Sequence, residues 1–177
     1  QTQKSGKIFS LPLAIDVYDG ANKKRYNVWV KNGVDTFTIS YAKRPDLVNV
    51  DGDKVMLWVK KDNKTLDNYI HQYTHAGNYL DRREAIDFAS KKLDDPKAVE
   101  LIKTALTDKY HGLRNFAISK ADLKKEAVKT GFESVLLNLA KSDKYATVRA
   151  SAIQKLGDYK KAEYADLFKK AVTDSSY

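Results

Sequence analysis

The chain has 177 residues, of which 42% are hydrophobic and 31% charged, a balance that is typical of folded proteins and excludes disorder as the dominant state. Its formal net charge of +9 is spread along the chain, with +4 on residues 1–62 and +5 on the rest, and no basic run is long enough to indicate a nucleic-acid-binding tail. The lack of cysteine excludes disulfides, a thiolate nucleophile and a cysteine-ligated zinc site.

The first part of the chain alternates apolar and polar residues with the period of two that indicates half-buried strands. Four runs show this alternation: residues 8–17, 25–30, 34–39 and 54–60. Pro12 marks an edge or a bulge in the first run, and Asn32-Gly33 between the second and third predicts a tight hairpin. The sequence therefore predicts an antiparallel, Ig-like β-sandwich over residues 1–62 that is incomplete because strands upstream are missing.

Beyond residue 62 the apolar period changes to that of amphipathic helices. Asp95-Pro96 supplies a helix N-cap followed by a proline at the first helical position. The change of period places the domain boundary after residue 62, with a helical domain over residues 63–177. The predicted fold class is thus α+β in two parts.

An internal repeat organises these helices. Three segments superpose on a common pattern of arginine, two variable positions and a small apolar residue: 79–86, 108–118 and 143–153. The aligned arginines are Arg83, Arg114 and Arg149, and their separations of 31 and 35 residues fit a two-helix repeat. Stacked pairs of this kind predict an α-α superhelix of HEAT-like repeats. Asp174 begins a fourth copy, so we expect the helical domain to be truncated downstream.

His71 and His75 lie one helical turn apart, which is the spacing that zinc peptidases use for two of their ligands. Gln72, however, stands where such a site needs a general-base glutamate, and the third ligand would have to be His111 or an unidentified carboxylate. Structural or surface histidines are the favoured interpretation. No residue is therefore assigned as a metal ligand.

Other chemistry has less support. The chain has neither a Gly-x-Ser-x-Gly nucleophile elbow nor a glycine-rich phosphate loop. The Asp-Gly-Asp at residues 51–53 is interpreted as a turn rather than a calcium loop. Tyr69, Tyr73 and Tyr79 have helical spacing and are interpreted first as a core stripe, and only second as a ligand-stacking strip. No catalytic or cofactor-binding residue is assigned.

Three motifs carry a family resemblance through their order and spacing. They are FSLPL at residues 9–13, VNVD at residues 48–51 before a strand, and YLDRREA at residues 79–85 at the start of the repeats. Together they resemble the C-terminal half of the aminopeptidase N family over essentially the whole chain. In that family a zinc-binding catalytic domain precedes a β-sandwich and a HEAT-like helical domain that closes over the active site, and this chain resembles the last two. The family's HExxH and Gly-x-Met-Glu-Asn motifs match nothing here, so no catalytic residue is carried over.

The resemblance implies that the parent is a zinc metallopeptidase, a hydrolase, and that this chain is a truncated, inactive C-terminal piece of it. Such a piece would shape or restrict peptide access to zinc in an upstream catalytic domain. That domain and the peptide substrate would be its partners, and it would bind no cofactor itself. The alternative is a protein–protein interaction scaffold of the same architecture without peptidase activity.

Two further expectations concern partners and compartment. Nucleic acid is not expected as a partner; binding by the helical repeats is a third interpretation, and it predicts an affinity that falls steeply with salt. No apolar run approaches the length of a membrane span. Residues 1–6 are neither a signal peptide nor begin with methionine, so the compartment is left open, with the periplasm or cell envelope as a guess from the lysine-rich surface.

Overall fold

The computed structural model describes residues 1–3 and 6–173, and the chain divides into two compact units, Gln1–Asp81 and Arg82–Tyr177. The described residues form a three-stranded antiparallel sheet followed by seven α-helices. The α+β class predicted from the sequence is confirmed at this level. None of the helices in the described ranges is long and apolar enough to cross a membrane.

The sheet has the order β2-β1-β3. Its strands are β1 (Leu11–Asp19), β2 (Asn22–Val30) and β3 (Leu47–Val50). Gly20, with a φ of +56°, lies in the two-residue turn between β1 and β2, where a left-handed conformation suits glycine. β3 pairs with β1 only from Ile15 to Tyr18. Pro12 therefore has a strand neighbour on one side only, which suits a residue without a backbone N–H.

The hairpin predicted at Asn32-Gly33 is wrong, because β2 pairs along its whole length with β1 and residues 34–39 form no strand. The carboxylate of Asp35 accepts hydrogen bonds from the backbone N–H groups of Lys31 and Asn32 over 2.9 and 2.8 Å. These bonds close a loop at the end of β2. Asp35 thus satisfies donors that a strand pairing would otherwise use.

The strand predicted over residues 54–60 is also wrong, whereas residues 47–50, placed before a strand by the sequence, form β3. Asp51 and Lys54 have φ values of 56° and 55°, which turn the chain out of the extended path. Leu57 and Val59 are fully exposed as a result. No second sheet occurs in residues 1–3 and 6–173, so the β-sandwich stays a prediction.

Both faces of β1 are covered. One face buries Leu13, Ile15 and Val17, and these pack with apolar residues of β2 and of the following loop. On the opposite face Tyr18 packs with Leu47 of β3 and with Ala76. A strand that is buried on both faces forms the centre of this unit.

Ala76 is the C-cap of α1 (Leu66–His75), so this helix belongs to the same compact unit as the sheet. Thr65 opens α1 with a capping box, in which it exchanges hydrogen bonds with Asn68. The change from strand to helix at residue 63 and the division between units after Asp81 therefore mark different features of the chain.

Five α-helices and a short 3₁₀ turn follow α2 (Tyr79–Ala89). They are α3 (Pro96–Ala105), α4 (His111–Lys120), α5 (Glu126–Ser142), α6 (Ala146–Gly157), the 3₁₀ turn Ala162–Tyr164, and α7 (Ala165–Val172). The predicted start of a helix at Asp95-Pro96 is confirmed, since the Asp95 carboxylate accepts from the backbone N–H of Lys97 over 2.9 Å.

The helices of the C-terminal unit pair and stack. α3 packs against α4, and α5 packs against α6, so each pair of consecutive helices forms a helical hairpin. α3 also packs against α5, and α4 against α6, which stacks one hairpin on the other. Phe132 and Leu136 of α5 are completely buried in this stack. The repeat in the sequence predicts helical hairpins stacked in two layers, as observed. Their continuation into a HEAT-like superhelix stays a prediction.

Candidate functional site

The histidine pair of α1 is arranged for packing. The rings of His71 and His75 stack with their centroids 4.1 Å apart. Nε2 of His71 donates to the carbonyl of Gly20 over 3.0 Å, and Nδ1 of His75 donates to the carbonyl of His71 over 3.2 Å. Burial, followed by the nearby His75, lowers the pKa of His71. Each bond fixes the proton on one ring nitrogen and leaves a lone pair on the other, Nδ1 of His71 and Nε2 of His75, so a zinc site here depends on further ligands.

Within residues 1–3 and 6–173, no group of three or more His, Cys, Asp or Glu side chains could hold a metal ion. His111, the third ligand considered from the sequence, instead stacks on Tyr145 with ring centroids 4.1 Å apart. It belongs to the C-terminal unit, whereas His71 and His75 belong to the N-terminal unit.

Gln72, which stands where a zinc peptidase needs glutamate, points into a buried polar cluster. Its Nε2 donates to the carbonyl of Asp81 over 2.9 Å, and its Oε1 accepts from Nζ of Lys64 over 2.7 Å. The Asp81 carboxylate accepts from Nδ2 of Asn49 and from Nζ of Lys54, each over 2.9 Å. Gln72 thus joins the loop after β3 to α1 and to the start of α2, which is a structural role.

The same cluster holds two lysines that are almost inaccessible to water, Lys54 and Lys64, with side chains 6% and 7% exposed. Asp62 accepts from both Lys60 and Lys64, over 2.9 and 3.0 Å. Burial, followed by the charge of Lys60, lowers the pKa of Lys64. Burial opposes the ionisation of Asp62, but its hydrogen bonds from Lys60 and Lys64 hold its pKa below the usual value. Sequence analysis missed this cluster, because Lys54 lies in a segment predicted to be a strand and its partners Gln72 and Asp81 are distant in sequence.

The remaining residues considered from the sequence are also accounted for. The Asp-Gly-Asp at residues 51–53 is a turn, as predicted: the Asp51 carboxylate accepts from the backbone N–H groups of Val55 and Met56 over 3.1 Å each. Tyr69 and Tyr73 are half-buried and Tyr79 is exposed, so none of the three is a buried core residue and the predicted tyrosine core stripe is wrong.

The repeat appears in the structure as two equivalent ion pairs. Nη1 of Arg82 contacts both carboxylate oxygens of Asp108 at 2.6 Å. Nε and Nη2 of Arg114 each donate to one oxygen of Asp143 over 2.7 Å. In both pairs the aspartate precedes the next helix of the same layer, and one of its oxygens also accepts from the backbone N–H two residues later. We call these pairs the Arg–Asp rungs.

The register of the first rung differs from the sequence alignment by one residue. Arg82 forms the rung, whereas Arg83, which the alignment placed beside Arg114 and Arg149, lies over the ring of Phe116 at 3.8 Å. Arg149 repeats another contact of Arg114: Nη1 of Arg114 donates to the carbonyl of Asp108, and Nη1 of Arg149 donates to that of Asp143, over 2.8 and 3.0 Å. The predicted fourth copy at Asp174 lies outside the described residues.

A groove of about 900 Å³ lies between α5, α6 and α7, and we call it the α7 groove. Leu137 of α5, Ile153 of α6 and Leu167 of α7 line it with apolar surface. A second hollow of about 520 Å³ adjoins it, because Ile153 and Ala171 line both. α7 buries none of its side chains fully, so the apolar surface beside it is only partly filled.

Charged side chains surround this apolar floor. Lys141, Arg149 and Lys170 line the groove, and Glu163 and Asp166 line it too. Lys161 pairs with Glu163 at 3.7 Å, and Lys169 pairs with Asp166 at 3.6 Å. Among the described residues, Lys141 and Lys170 have no ion-pair partner. The groove therefore combines an apolar floor with positive charge that is not neutralised by its ion pairs.

On one side of the groove, Tyr164 and Lys161 both bind the carboxylate of Glu133. The hydroxyl of Tyr164 donates to the carboxylate of Glu133, which also pairs with Lys161. Burial, followed by the hydrogen bond to Glu133, raises the pKa of Tyr164. The sequence signal for the groove was the helical spacing of Leu167, Phe168 and Ala171, but the sequence could not show that their neighbours leave space beside them.

Comparisons of this chain with models of known protein families, with curated proteins and with solved structures found no match.

Proposed function

We propose that this chain is a non-catalytic region of a zinc aminopeptidase of the aminopeptidase N family. In this proposal its N-terminal unit belongs to an Ig-like β-sandwich, and its C-terminal unit is part of a HEAT-like superhelix. The helices shape or restrict the access of peptides to a zinc site in another domain of the parent protein. Zinc is expected in that domain, because residues 1–177 contain no HExxH motif.

The observation that supports this proposal is the recurrence of the Arg–Asp rung in stacked helical hairpins. Arg82–Asp108 and Arg114–Asp143 each join an arginine in one helix to the aspartate before the next helix of the same layer, as expected of repeats. Repeats of this kind present an extended surface built from several helices, which suits contact with a flexible polypeptide. The resemblance of residues 79–85 to the start of such repeats supplies the connection to the aminopeptidase family.

The test is to obtain the complete reading frame that contains this sequence and to look upstream for HExxH with a downstream glutamate. The complete protein is then assayed with a small aminoacyl chromogenic substrate and with longer peptides. We expect aminopeptidase activity that a chelator abolishes and zinc restores. If the motif and the activity are both missing, the peptidase proposal is overturned.

The second candidate is an interaction scaffold of the same architecture without peptidase activity. The α7 groove favours it, since an apolar floor flanked by lysines that are unpaired among the described residues is a surface suited to a partner polypeptide. A complete protein that lacks HExxH but co-purifies in a stable complex supports this candidate, while a monomer with chelator-sensitive activity supports the first.

A further inference from the structure

We propose that the α7 groove binds an acidic amphipathic segment of a partner polypeptide, with apolar side chains on the groove floor and carboxylates beside Lys141 and Lys170. This inference deepens the proposed binding role of the helical unit, on which it rests, by naming the chemistry of the segment that is bound.

The floor of the groove supplies the apolar half of the argument. Leu137, Ile153 and Leu167 come from three different helices and meet along one hollow of about 900 Å³. This volume lies within the range of about 300–1,000 Å³ that is typical of ligand-binding sites. The adjoining hollow extends the apolar surface to Phe168 and Val172, and Val172 is 86% exposed. Leucine-sized side chains of a bound segment would remove this surface from water.

The charged side chains that line the groove explain why the bound segment should be acidic. Glu163 and Asp166, the two acidic residues of the groove, have lysine partners: Lys161, which Glu163 shares with Glu133, and Lys169. Lys141 and Lys170 have no ion-pair partner among the described residues, and Arg149 adds a further positive charge to the lining. A ligand that brings carboxylates to this rim gains charge complementarity, while a basic segment meets repulsion.

The same residues favour a polypeptide over a nucleic acid. Single-stranded nucleic acids gain much of their affinity by stacking bases on exposed aromatic rings. The one tyrosine that lines the groove, Tyr164, is buried, and its hydroxyl is bonded to Glu133. Phe168 of the adjoining hollow packs edge-to-face on Tyr164, and the groove floor itself is aliphatic, which suits leucine or isoleucine side chains at the i, i+3, i+4 and i+7 positions of a short helix.

The experiment uses the whole chain and a fluorescently labelled peptide that has leucine at positions i, i+3, i+4 and i+7 and glutamate elsewhere. Fluorescence anisotropy gives the Kd for the wild type, for the double variant Lys141→Glu/Lys170→Glu, and for a matched control, Lys109→Glu/Lys124→Glu. The control changes two exposed lysines that do not line the groove, with the same change of net charge. We expect the groove variant to bind at least about tenfold more weakly than the control variant.

A reciprocal measurement keeps the result independent of folding. A peptide in which lysine replaces every glutamate is expected to bind the groove variant more tightly than the wild type, which an unfolded variant could not do. The inference is overturned if the groove and control variants lose affinity equally. It is also overturned if a single-stranded oligonucleotide displaces the peptide as well as unlabelled peptide does, because the groove would then be a general polyanion site.

These outcomes are separate from those of the proposed function. A complete protein with HExxH and chelator-sensitive activity that shows no groove-dependent peptide binding removes this inference and leaves the peptidase proposal intact. Groove-dependent peptide binding in a complete protein without peptidase activity supports this inference and overturns the peptidase proposal.

Discussion

Arg114 and Asp143 form a two-point ion pair, in which Nε and Nη2 of the guanidinium each donate to one carboxylate oxygen over 2.7 Å. Both side chains are nearly inaccessible to water, at 7% and 5% exposed. The pair joins the start of α4 to the turn before α6, so it connects two successive helical hairpins. Arg114 also donates to the carbonyl of Asp108, which ties the pair to the turn of its own hairpin.

Replacing Arg114 with alanine removes both charge-assisted hydrogen bonds from the buried carboxylate of Asp143 and leaves only the nearby charge of Arg149 to compensate it. We expect the free energy of unfolding of the C-terminal unit to fall by about 3–5 kcal/mol. The double variant Arg114→Met/Asp143→Leu should lose less than the sum of the two single variants, with a coupling energy of about 0.5–3 kcal/mol. Urea unfolding followed by far-ultraviolet circular dichroism measures these changes.

An internal control is available for that experiment, because both tryptophans, Trp29 and Trp58, lie in the N-terminal unit. Their fluorescence should report a transition that the Arg114 variants leave in place. A single Arg114→Ala variant with the unfolding midpoint of the wild type would contradict the structural role of the rung.

Acid should weaken the same pair. Burial opposes the ionisation of Asp143, but hydrogen bonds from Arg114 and from the backbone of Tyr145 hold its pKa below the usual 3.8. The unfolded chain therefore takes up this proton at a higher pH than the folded chain does. The stability that the pair contributes is complete above about pH 4, the unfolded pKa, and is lost as the pH falls through the lower folded pKa.

The check on this pH dependence is the difference in unfolding free energy between the wild type and Asp143→Asn. This difference should be largest at neutral pH and should shrink as the pH is lowered below about 4. A difference that stays constant through this range would show that Asp143 keeps its ordinary pKa.

The folded chain should lose stability in alkali through the ionisation of Tyr159. Burial, followed by the charge of Glu133, raises the pKa of Tyr159 to about 12, and its hydroxyl donates to the carbonyl of Lys129 over 2.7 Å. The folded chain holds this proton where the unfolded chain, with the usual pKa of 10.0, has lost it. The stabilisation is complete below pH 10 and is lost as the pH rises towards 12.

Tyr159→Phe should cost about 1 kcal/mol near neutral pH, because it leaves the carbonyl of Lys129 without this donor, and it should reduce the loss of stability in alkali. Tyr145→Phe is the matched control, since Tyr145 is exposed. Unfolding free energies between pH 8 and pH 12, taken with an ultraviolet titration of the tyrosines, measure both effects. Equal behaviour of the two variants would contradict the assignment.

Gln72→Glu turns residues 71–75 into the HExxH spelling, yet we expect it to leave zinc affinity unchanged. The side chain at this position points away from the imidazoles, towards Lys64 and the carbonyl of Asp81. Within residues 1–3 and 6–173 no third His, Cys, Asp or Glu side chain completes a metal-binding group with the two histidines, and a glutamate that points away from them does not supply one. Isothermal titration with zinc compares the wild type, Gln72→Glu and His75→Ala, and a gain of tenfold or more in Gln72→Glu would contradict this geometry.

Local signals predicted well the parts of the fold that depend on neighbours in sequence. Asp95-Pro96 begins α3 because capping and proline geometry are properties of a few adjacent residues. The repeat predicted stacked helix pairs, since each copy carries the same contacts. Its register failed by one residue at Arg82, because both Arg82 and Arg83 match the pattern and only packing against α4 distinguishes them.

Signals that depend on distant partners failed. Residues 54–60 alternate like a strand, but the left-handed turns at Asp51 and Lys54 direct them away from the sheet. Asn32-Gly33 has hairpin chemistry, yet Asp35 closes a loop there and β2 pairs with β1 instead. The α7 groove is a space between three helices, and periodicity within each helix carries no information about such a space.

α7 is only partly buried, and this affects how readily the α7 groove opens. α5 buries five of its side chains, whereas α7 buries none fully, so the opening of α7 costs less free energy and its amide protons should exchange with solvent sooner. The wall of the groove formed by α5 is therefore stable, whereas the wall formed by α7 opens more readily. A polypeptide segment that binds between α5 and α7 should reduce the motion of α7. Its binding should therefore be measurable as slower hydrogen exchange of the α7 amides.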